Sequence, residues 1–328
     1  MSGRRVVVTG GAGFVGGALV ARLVSGGDHV VALVRDPERP GSLDPSVVEL
    51  VANDLSDAAA LADAVRGADA MIHAAGSYRV GIAASERPAM LDANLGTTER
   101  ALDAAIAGGV PRIVYVSTVN AFGNTQRRVV DETFRRDLAD GFVSYYDESK
   151  WLAHVAAEER IAAGAPIIIV QPSQVYGPRD HSPVGEQFRG AAAGTLPFLG
   201  VGGTGLGLVH VDDLAAGIIA ALDGGENGRA YVLSGPTTRL RDAMAIAARV
   251  GGHPLPRLSF PDAILRFGAT LFPNQGAWFG LSPNLQEIVS ASIGVTYWAS
   301  SARARAELGF APRDIETGFA DTFGAAGG

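Results

Sequence analysis

Short runs of β-branched and other apolar residues alternate with alanine-rich stretches through the first half of the chain. Six of the apolar runs predict strands, at residues 5–9, 29–34, 47–52, 70–74, 112–117 and 166–171. Four alanine-rich stretches between them predict helices, at residues 13–25, 57–65, 89–107 and 144–163. Strands that alternate with crossover helices are typical of a parallel sheet. The pattern therefore predicts an α/β fold with a doubly wound parallel sheet of the Rossmann type.

The second half of the chain is less regular. From about residue 172 it is rich in proline and glycine, apart from a predicted helix at 211–222 and a predicted strand at 230–234. Short helical stretches in the last hundred residues are interrupted by prolines, at positions 254, 256, 261, 273 and 283. We expect residues 1–176 to form the Rossmann domain and residues 177–328 to form a smaller, irregular C-terminal lobe, with residues 208–235 returning to the sheet.

Composition narrows the class of protein. The 328 residues are 47% hydrophobic and 19% charged, which suits a large core and excludes a disordered or fibrous chain. The absence of cysteine excludes disulfides, thiolate metal sites and a cysteine nucleophile. A net charge of -7 without clustered lysine and arginine argues against nucleic acid as a partner. The first apolar run is too short for a signal peptide, and none reaches the ~18 residues of a spanning helix, so we expect a cytoplasmic protein without a membrane partner.

The first predicted strand leads directly into the glycine-rich sequence Thr9-Gly10-Gly11-Ala12-Gly13-Phe14-Val15-Gly16. The glycines at positions 10, 13 and 16 permit a tight turn, a close approach of the backbone to a pyrophosphate, and close packing of helix on strand. The helix N-terminus adds positive potential and free amides. This strand-turn-helix context indicates a dinucleotide site, with contacts expected at Gly10, Gly13, Phe14, Val15 and Gly16.

The residues after the second predicted strand bear on which dinucleotide binds. Arg35 and Asp36 stand about nineteen residues past Gly16, where the residue that reads the adenosine ribose is expected. A carboxylate there would bond the ribose hydroxyls of NAD, whereas an arginine can pair with the 2'-phosphate of NADP. Asp36-Pro37 also suits the start of an ordinary turn. Arg35 therefore predicts NADP as the preferred cofactor, with NAD as the alternative.

Five further segments extend the pattern over nearly the whole chain: Asp54-Leu55, His73-Ala74-Ala75-Gly76, Asn94-Leu95-Gly96-Thr97, Pro172-Ser173-Gln174-Val175-Tyr176-Gly177-Pro178 and His210-Val211-Asp212-Asp213-Leu214-Ala215. With the glycine turn, they resemble the extended short-chain dehydrogenase/reductases, also called the NAD-dependent epimerase/dehydratase family. The resemblance implies cofactor contacts at Asp54, Leu55, Ala74, Ala75, Gly76, Asn94, Ser117, Pro172, Gln174 and Val175. It also implies a homodimer through the helices predicted at 89–107 and 144–163.

The sequence Tyr146-Asp147-Glu148-Ser149-Lys150 places a phenol and an ammonium four residues apart, so both project from one face of the predicted helix. An adjacent ammonium favours the phenolate, so the pKa of Tyr146 is expected to fall toward neutrality. Lys150 is the only lysine among 27 basic residues. The neighbouring Tyr145 is turned away by about 100° and does not share this face. In the family that the chain resembles, the tyrosine and lysine are catalytic and the lysine also bonds the nicotinamide ribose.

The resemblance implies a third catalytic group, a hydroxyl at the end of the fifth strand. Counting back from Gly123, Thr118 matches the catalytic serine or threonine of the family, and Ser117 is the alternative. The implied reaction is hydride transfer between nicotinamide and a carbonyl or carbinol carbon. Tyr146 would exchange the hydroxyl proton, Thr118 would bond the substrate oxygen, and Lys150 would hold the ribose. The six histidines show no metal-ligand spacing, so no metal is expected.

Four features of the sequence bear on the substrate. Nucleotide-sugar members of the family commonly carry a basic residue four positions before the late histidine, but Leu206 stands there, which favours a neutral or apolar carbonyl compound. The alternative is that Arg179 or Arg189 substitutes for that basic residue. The choice of NADP through Arg35 favours net reduction. The stretch from residue 76 to 146 resembles the dihydroflavonol-reductase-like and hopanoid-associated epimerase-like branches. The aromatic residues Trp278-Phe279 and Tyr297-Trp298 suit ordinary packing of the second lobe or an apolar pocket.

These observations predict an NADPH-dependent carbonyl reductase or alcohol dehydrogenase that acts on a small or mid-sized, largely apolar molecule. One alternative is a nucleotide-sugar epimerase or dehydratase that recycles its NAD internally. The dehydratase branch is weakened by Val119-Asn120, because an acidic pair usually follows the catalytic hydroxyl there. A second alternative is a dinucleotide-binding protein without turnover, against which the intact Thr118, Tyr146 and Lys150 argue.

Overall fold

The computed structural model of the protein describes residues 3–256, 258–276 and 282–324. Its strands are β1 (Arg5–Thr9), β2 (His29–Val34), β3 (Glu49–Ala52), β4 (Ala70–His73), β5 (Ile113–Val116), β6 (Ile167–Pro172), β7 (Gln174–Tyr176), β8 (Gly205–His210), β9 (Ala230–Leu233) and β10 (Thr237–Arg239). Seven form a parallel sheet in the order β3-β2-β1-β4-β5-β6-β9, and β10, β8 and β7 form a second, small sheet. The strand order reverses beside β1, as in a doubly wound fold, so the predicted architecture is confirmed.

Helices cover both faces of the large sheet. They are α1 (Phe14–Ser25), α2 (Ala58–Val65), α3 (Arg87–Leu91), α4 (Thr97–Ala107), α5 (Tyr145–Ala162), α6 (Pro183–Ala192), α7 (Val211–Gly224), α8 (Leu240–Val250), α9 (Asp262–Leu271), α10 (Leu285–Ser292), α11 (Ala302–Leu308) and α12 (Ile315–Phe323). Side chains alternate across each strand: Val6 and Val8 pack with α1 and α7, whereas Val7 packs with α2, α4 and α5. Burial on both faces explains the continuous apolar runs of the strands.

The stretch predicted as one helix at 89–107 is interrupted. Helices α3 and α4 are separated by a π-helical turn, Asp92–Gly96. Such a turn inserts one extra residue into the helix and redirects the side chains that follow, often beside a functional site. The prediction was therefore right about the extent of the helix and wrong about its continuity. The homodimer that the resemblance places at α4 and α5 stays a prediction.

The lobe that follows the first six strands contains more helix than its proline content suggests. Its prolines stand at helix starts or between helices: Pro183 is the first residue of α6, and Pro261 is the N-cap of α9. Strand β9 pairs with β6 and so returns to the large sheet. The domain boundary at residue 176 stays a prediction, and Trp278-Phe279 lies outside the described residues. None of the helices in the described ranges combines the length and the apolar character that crossing a membrane requires.

Candidate active site

A cleft opens at the carboxyl ends of β1, β4, β5 and β6, where the strand order reverses. Its lining, within the described residues, consists of Phe14, Val15, Ala74, Ala75, Gly76, Ser77, Tyr78, Asn94, Val116, Ser117, Thr118, Asn120, Tyr146, Lys150, Pro172, Ser173, Gln174, Val175, Asp180 and Ser182. The three predicted catalytic residues are in this set, together with most of the predicted cofactor contacts. The predicted contacts outside it are Gly10, Gly13, Gly16, Arg35, Asp54 and Leu55.

The glycine turn fits a dinucleotide phosphate. Gly10 has a φ of +72°, and a Cβ atom there would lie 2.8 Å from the backbone of Ala75. A Cβ atom on Gly16 would collide with the carbonyl of Gly10, so the turn can close only with glycine at both positions. Gly13 is the N-cap of α1 and brings no capping side chain, which leaves first-turn N–H groups available for an anion.

The end of β2 separates the roles of Arg35 and Asp36. The Asp36 carboxylate accepts the N–H of Glu38 at 3.0 Å and lies 3.7 Å from Nε of Arg39, so it belongs to the turn itself. Arg35 is exposed, and in the described part of the chain no hydrogen bond or ion pair engages its guanidinium. The contact of Arg35 with the cofactor stays a prediction.

Asp54 and Leu55 shape the turn after β3. Hydrogen bonds from the hydroxyl and N–H of Ser56 hold the pKa of the Asp54 carboxyl below its usual range. Leu55 has a φ of +66° and is buried in the core, and its carbonyl accepts a hydrogen bond from Nε of Arg100. The contact of these residues with adenine stays a prediction.

Asn94 lines the cleft, and its amide makes three hydrogen bonds within the protein. Its Oδ1 accepts the N–H of Ser77 at 2.8 Å, and its Nδ2 donates to the Ser77 carbonyl at 3.1 Å and to Oγ of Ser149 at 2.9 Å. The π-helical turn therefore braces the segment after β4 against α5. The contact of Asn94 with the cofactor stays a prediction.

Helix α5 presents Tyr146 and Lys150 to the cleft. Its N-cap, Ser144, accepts the N–H of Asp147 at 3.1 Å and so fixes the first turn. Lys150 follows one turn later and is 5% exposed, and its Nζ donates to the Val116 carbonyl at 3.5 Å. An ammonium has three donors, so this bond leaves donors for a ligand in the cleft.

The pKa of Tyr146 differs from the expectation. The side chain is 8% exposed, and burial, followed by the nearby Tyr78 and Asp147, raises the pKa of its phenol above the usual range. Among the largest influences on this pKa, only the interaction with the Thr118 hydroxyl lowers it. The expectation of a lowered pKa was wrong for this structure because burial is the largest influence on the phenol and the Lys150 ammonium is not among the largest. Tyr146 is consequently a neutral phenol, a proton donor, near pH 7.

Thr118 and Ser117 are adjacent but have different partners. Oγ of Ser117 lies 3.0 Å from Nδ1 of His154 on α5. Thr118 is the N-cap of a short 3₁₀ turn, and its Oγ1 accepts the N–H of Asn120 at 3.2 Å. Of these two hydroxyls, that of Thr118 hydrogen-bonds to the Tyr146 phenol and lowers its pKa, so Thr118 is favoured over Ser117 as the partner of the phenol.

A buried polar group beside Tyr146 was not anticipated from the sequence. Asp147 is 1% exposed and accepts hydrogen bonds from Nδ2 of Asn120 at 3.0 Å and from the Tyr297 hydroxyl at 3.2 Å. Burial raises the pKa of Asp147 to about 6, although these bonds favour its charged form. The one feature of the sequence that pointed to Asp147 was its position between Tyr146 and Lys150.

The charges around the cleft suit a neutral substrate. Lys150 is the one cation among the described residues that line it. Burial raises the pKa of Asp180, and burial with the nearby Asp147 raises the pKa of Tyr78 to about 12. Leu206 is 8% exposed and packs in the apolar core of the second lobe. Among the described residues that line this cleft, Lys150 is therefore the one cation that a substrate diphosphate would meet.

His73 is a buried core histidine. It is fully buried, with Nδ1 2.8 Å from Oγ1 of Thr9 and Nε2 3.1 Å from Oγ1 of Thr98, and burial lowers its pKa to about 3. An unfolded chain protonates this histidine below about pH 6.5 whereas the folded protein does not, so stability falls as the pH drops from 6.5 toward 3.

Replacing His73 with glutamine removes this dependence. We expect the free energy of unfolding of the protein, relative to that of His73→Gln, to fall by about 1.4 kcal/mol per pH unit below pH 6.5. Urea denaturation at several pH values measures it. His181→Gln, at a side chain 78% exposed, is the control substitution. A difference that stays constant with pH would contradict a neutral, buried His73.

Comparison with known proteins agrees with these features. The model of a family described as "NAD dependent epimerase/dehydratase family" matches residues 6–234. A protein of Synechocystis sp. named "Putative dihydroflavonol 4-reductase" is 31% identical over 96% of this chain and 92% of that protein. A Mycobacterium tuberculosis protein named "3 beta-hydroxysteroid dehydrogenase/Delta 5-->4-isomerase" is 30% identical over 94% of this chain and 86% of that protein. The crystal structure of gox2253 is 31% identical, with a TM-score of 0.81 over 97% of this chain and 96% of that chain.

Proposed function

Because this chain belongs to the NAD-dependent epimerase/dehydratase family, we propose that it is an NADPH-dependent carbonyl reductase of small or mid-sized, largely apolar substrates. Two of its relatives are named as a reductase and as a dehydrogenase. The observation that carries the proposal is a protonated phenol, Tyr146, in a cleft whose one described cation is Lys150. A protonated phenol suits reduction, which needs a proton donor. The lack of a second cation suits a substrate without phosphate.

The residues of the cleft account for the proton in this reaction. When bound, the dihydronicotinamide supplies a hydride to the carbonyl carbon of the substrate. Negative charge then develops on the carbonyl oxygen, and Tyr146 gives that oxygen its phenolic proton to form the hydroxyl. Lys150, one turn along α5, stabilises the tyrosinate that remains, and its remaining donors suit the nicotinamide ribose. Thr118 holds the substrate oxygen beside the phenol.

The names of the two relatives agree with this substrate class. One is named as a reductase of a dihydroflavonol and the other as a dehydrogenase of a hydroxysteroid, and both identities reach 30% over most of the chain. Position 206 supports the same substrate class. Leu206 is buried among apolar residues and offers no cation to a substrate diphosphate.

Two measurements test the proposal together. Nucleotide released from the denatured protein is identified by chromatography, and consumption of NADPH is followed with aryl ketones, β-keto esters and steroid ketones. We expect a site that is empty or holds NADP, and turnover with apolar ketones. NAD retained at about one per chain, with conversion of a nucleotide sugar instead of a ketone, would overturn the proposal in favour of an epimerase or dehydratase.

Arg35→Ala tests the choice of NADP. Loss of a charge-assisted contact to the 2'-phosphate is expected to weaken NADPH binding by about 10-fold to 100-fold, while NADH binding stays unchanged. Isothermal titration with both cofactors measures the effect. Arg39→Ala removes an exposed arginine from the same turn and serves as the control. Equal losses for NADPH and NADH would show that Arg35 does not recognise the 2'-phosphate.

A further inference from the structure

Asp147 is a buried acid that the reaction above does not use. It follows Tyr146 directly in α5 and is 1% exposed. A carboxylate is expensive to bury unless hydrogen bonds compensate, and here two side chains from other parts of the chain donate to it. One of the two, Asn120, also reaches the catalytic hydroxyl.

The hydrogen bonds form a chain from Asp147 to Thr118. Nδ2 of Asn120 donates to Oδ1 of Asp147 at 3.0 Å, and Oγ1 of Thr118 donates to Oδ1 of Asn120 at 3.2 Å. A carboxylate can only accept, so it requires the NH₂ side of the amide and turns the amide oxygen toward Thr118. The single proton of the Thr118 hydroxyl then goes to Asn120 and not to the Tyr146 phenol, whose pKa it lowers when it points there. The oxygen that Thr118 presents to the cleft is then an acceptor.

Protonation of Asp147 permits the opposite arrangement. A carboxylic acid has one O–H donor, which can bond the oxygen of Asn120 if the amide turns over. The NH₂ group of Asn120 then donates to Thr118, and the Thr118 proton is free to point into the cleft. A carbonyl oxygen needs such a donor, whereas a carbinol hydroxyl needs an acceptor.

We propose that Asp147 is a positioning residue that, through Asn120, sets whether the Thr118 hydroxyl donates to the substrate oxygen or accepts from it. The expected effect on ketone reduction rests on the proposed function. The hydrogen-bond chain itself involves protein side chains alone and does not depend on that function. The ionised acid favours the geometry for a carbinol, and the protonated acid favours the geometry for a carbonyl.

The surroundings of Asp147 allow both states. The charged or titratable groups around it are Tyr297, which donates to its Oδ2, Arg136, Tyr78, Tyr146 and, one turn along α5, Lys150. Burial favours the neutral acid, while the hydrogen bonds and Arg136 favour the carboxylate. The resulting pKa of about 6 means that the acid titrates within the range in which enzymes are assayed.

Infrared difference spectroscopy tests the titration without cofactor or substrate. Difference spectra recorded from about pH 8 down to pH 5 should show the C=O band of a buried, protonated carboxyl that appears as the pH falls, with a midpoint near 6. Asp147→Asn should lack this band. Tyr297→Phe removes one donor to the charged form, so its midpoint should move to higher pH. No such band in the wild-type protein, or an unmoved midpoint in Tyr297→Phe, would overturn the proposal.

The pH dependence of ketone reduction tests the link to Thr118. As the pH falls and Asp147 becomes protonated, we expect kcat/KM to rise by about 10-fold more than it does over the same pH range in Asp147→Asn. Asn120→Ala should abolish this inflection although its carboxyl band still titrates. An inflection that persists in Asn120→Ala would refute the hydrogen-bond chain. If no ketone is reduced, the proposed function fails, while the infrared measurement still decides whether Asp147 titrates.

Discussion

Tyr146→Phe is expected to lower kcat for ketone reduction by about 10³-fold while NADPH affinity changes by no more than about twofold. The phenol is the proton donor in the proposed reaction, and phenylalanine removes that proton without changing the ring. The ring packs edge-on against Tyr78, with 4.8 Å between centroids, so the fold of the cleft should survive the substitution. Initial rates with NADPH and the best ketone, together with cofactor titrations, give both quantities.

Tyr145→Phe is a matched control for this substitution. Tyr145 precedes Tyr146 on α5, lies about 100° around the helix, and packs under the guanidinium of Arg87 at 5.0 Å. We expect it to retain activity close to that of the unmodified protein. If Tyr146→Phe keeps about a tenth or more of the wild-type rate, another group must donate the proton. Equal losses in the two variants would point to a structural effect of the helix start.

The order of elements and the position of the cleft could be predicted from local pattern. Buried parallel strands such as β1 and β4 are continuous apolar runs, so the strand-turn-helix context of the glycine turn could be predicted from pattern. The place of Ala74–Gly76 in the cofactor site was implied by the family resemblance. Helical spacing also placed Tyr146 and Lys150 on one face of α5. Each of these inferences needed only residues close together in the sequence.

The electrostatics of the site depend on contacts that sequence spacing does not reveal. The pKa of Tyr146 rises because Tyr78, from a loop 68 positions earlier, packs on its ring and helps to bury it. Asp147 resembles a solvated residue of a helix start, yet Tyr297, 150 positions later, donates to it. Asn94, within the π-helical turn Asp92–Gly96, likewise bonds to two distant segments, at Ser77 and Ser149. Local patterns contain no information on such long-range packing.

Gly10→Ala is expected to abolish measurable NADPH binding and to lower the free energy of unfolding by about 3 kcal/mol. A φ of +72° costs an alanine about 1–2 kcal/mol, and a Cβ atom 2.8 Å from the backbone of Ala75 adds a steric cost of about 1–3 kcal/mol. Relief of that contact must move either the turn or the segment after β4. Both segments contain predicted cofactor contacts, so the free energy of NADPH binding should fall by more than the free energy of unfolding.

Gly67→Ala separates backbone strain from the steric contact. Gly67 has a φ of +67°, and a Cβ atom there would meet nothing within 4 Å. This variant should therefore lose only the strain, about 1–2 kcal/mol, and should bind NADPH normally. Urea unfolding and cofactor titration of the two variants give the comparison. Equal destabilisation with equal binding would mean that the contact between Gly10 and Ala75 is not what requires glycine in the turn. A larger loss of stability in Gly10→Ala, together with loss of NADPH binding, would show that glycine is required at position 10 because the backbone there lies close to that of Ala75.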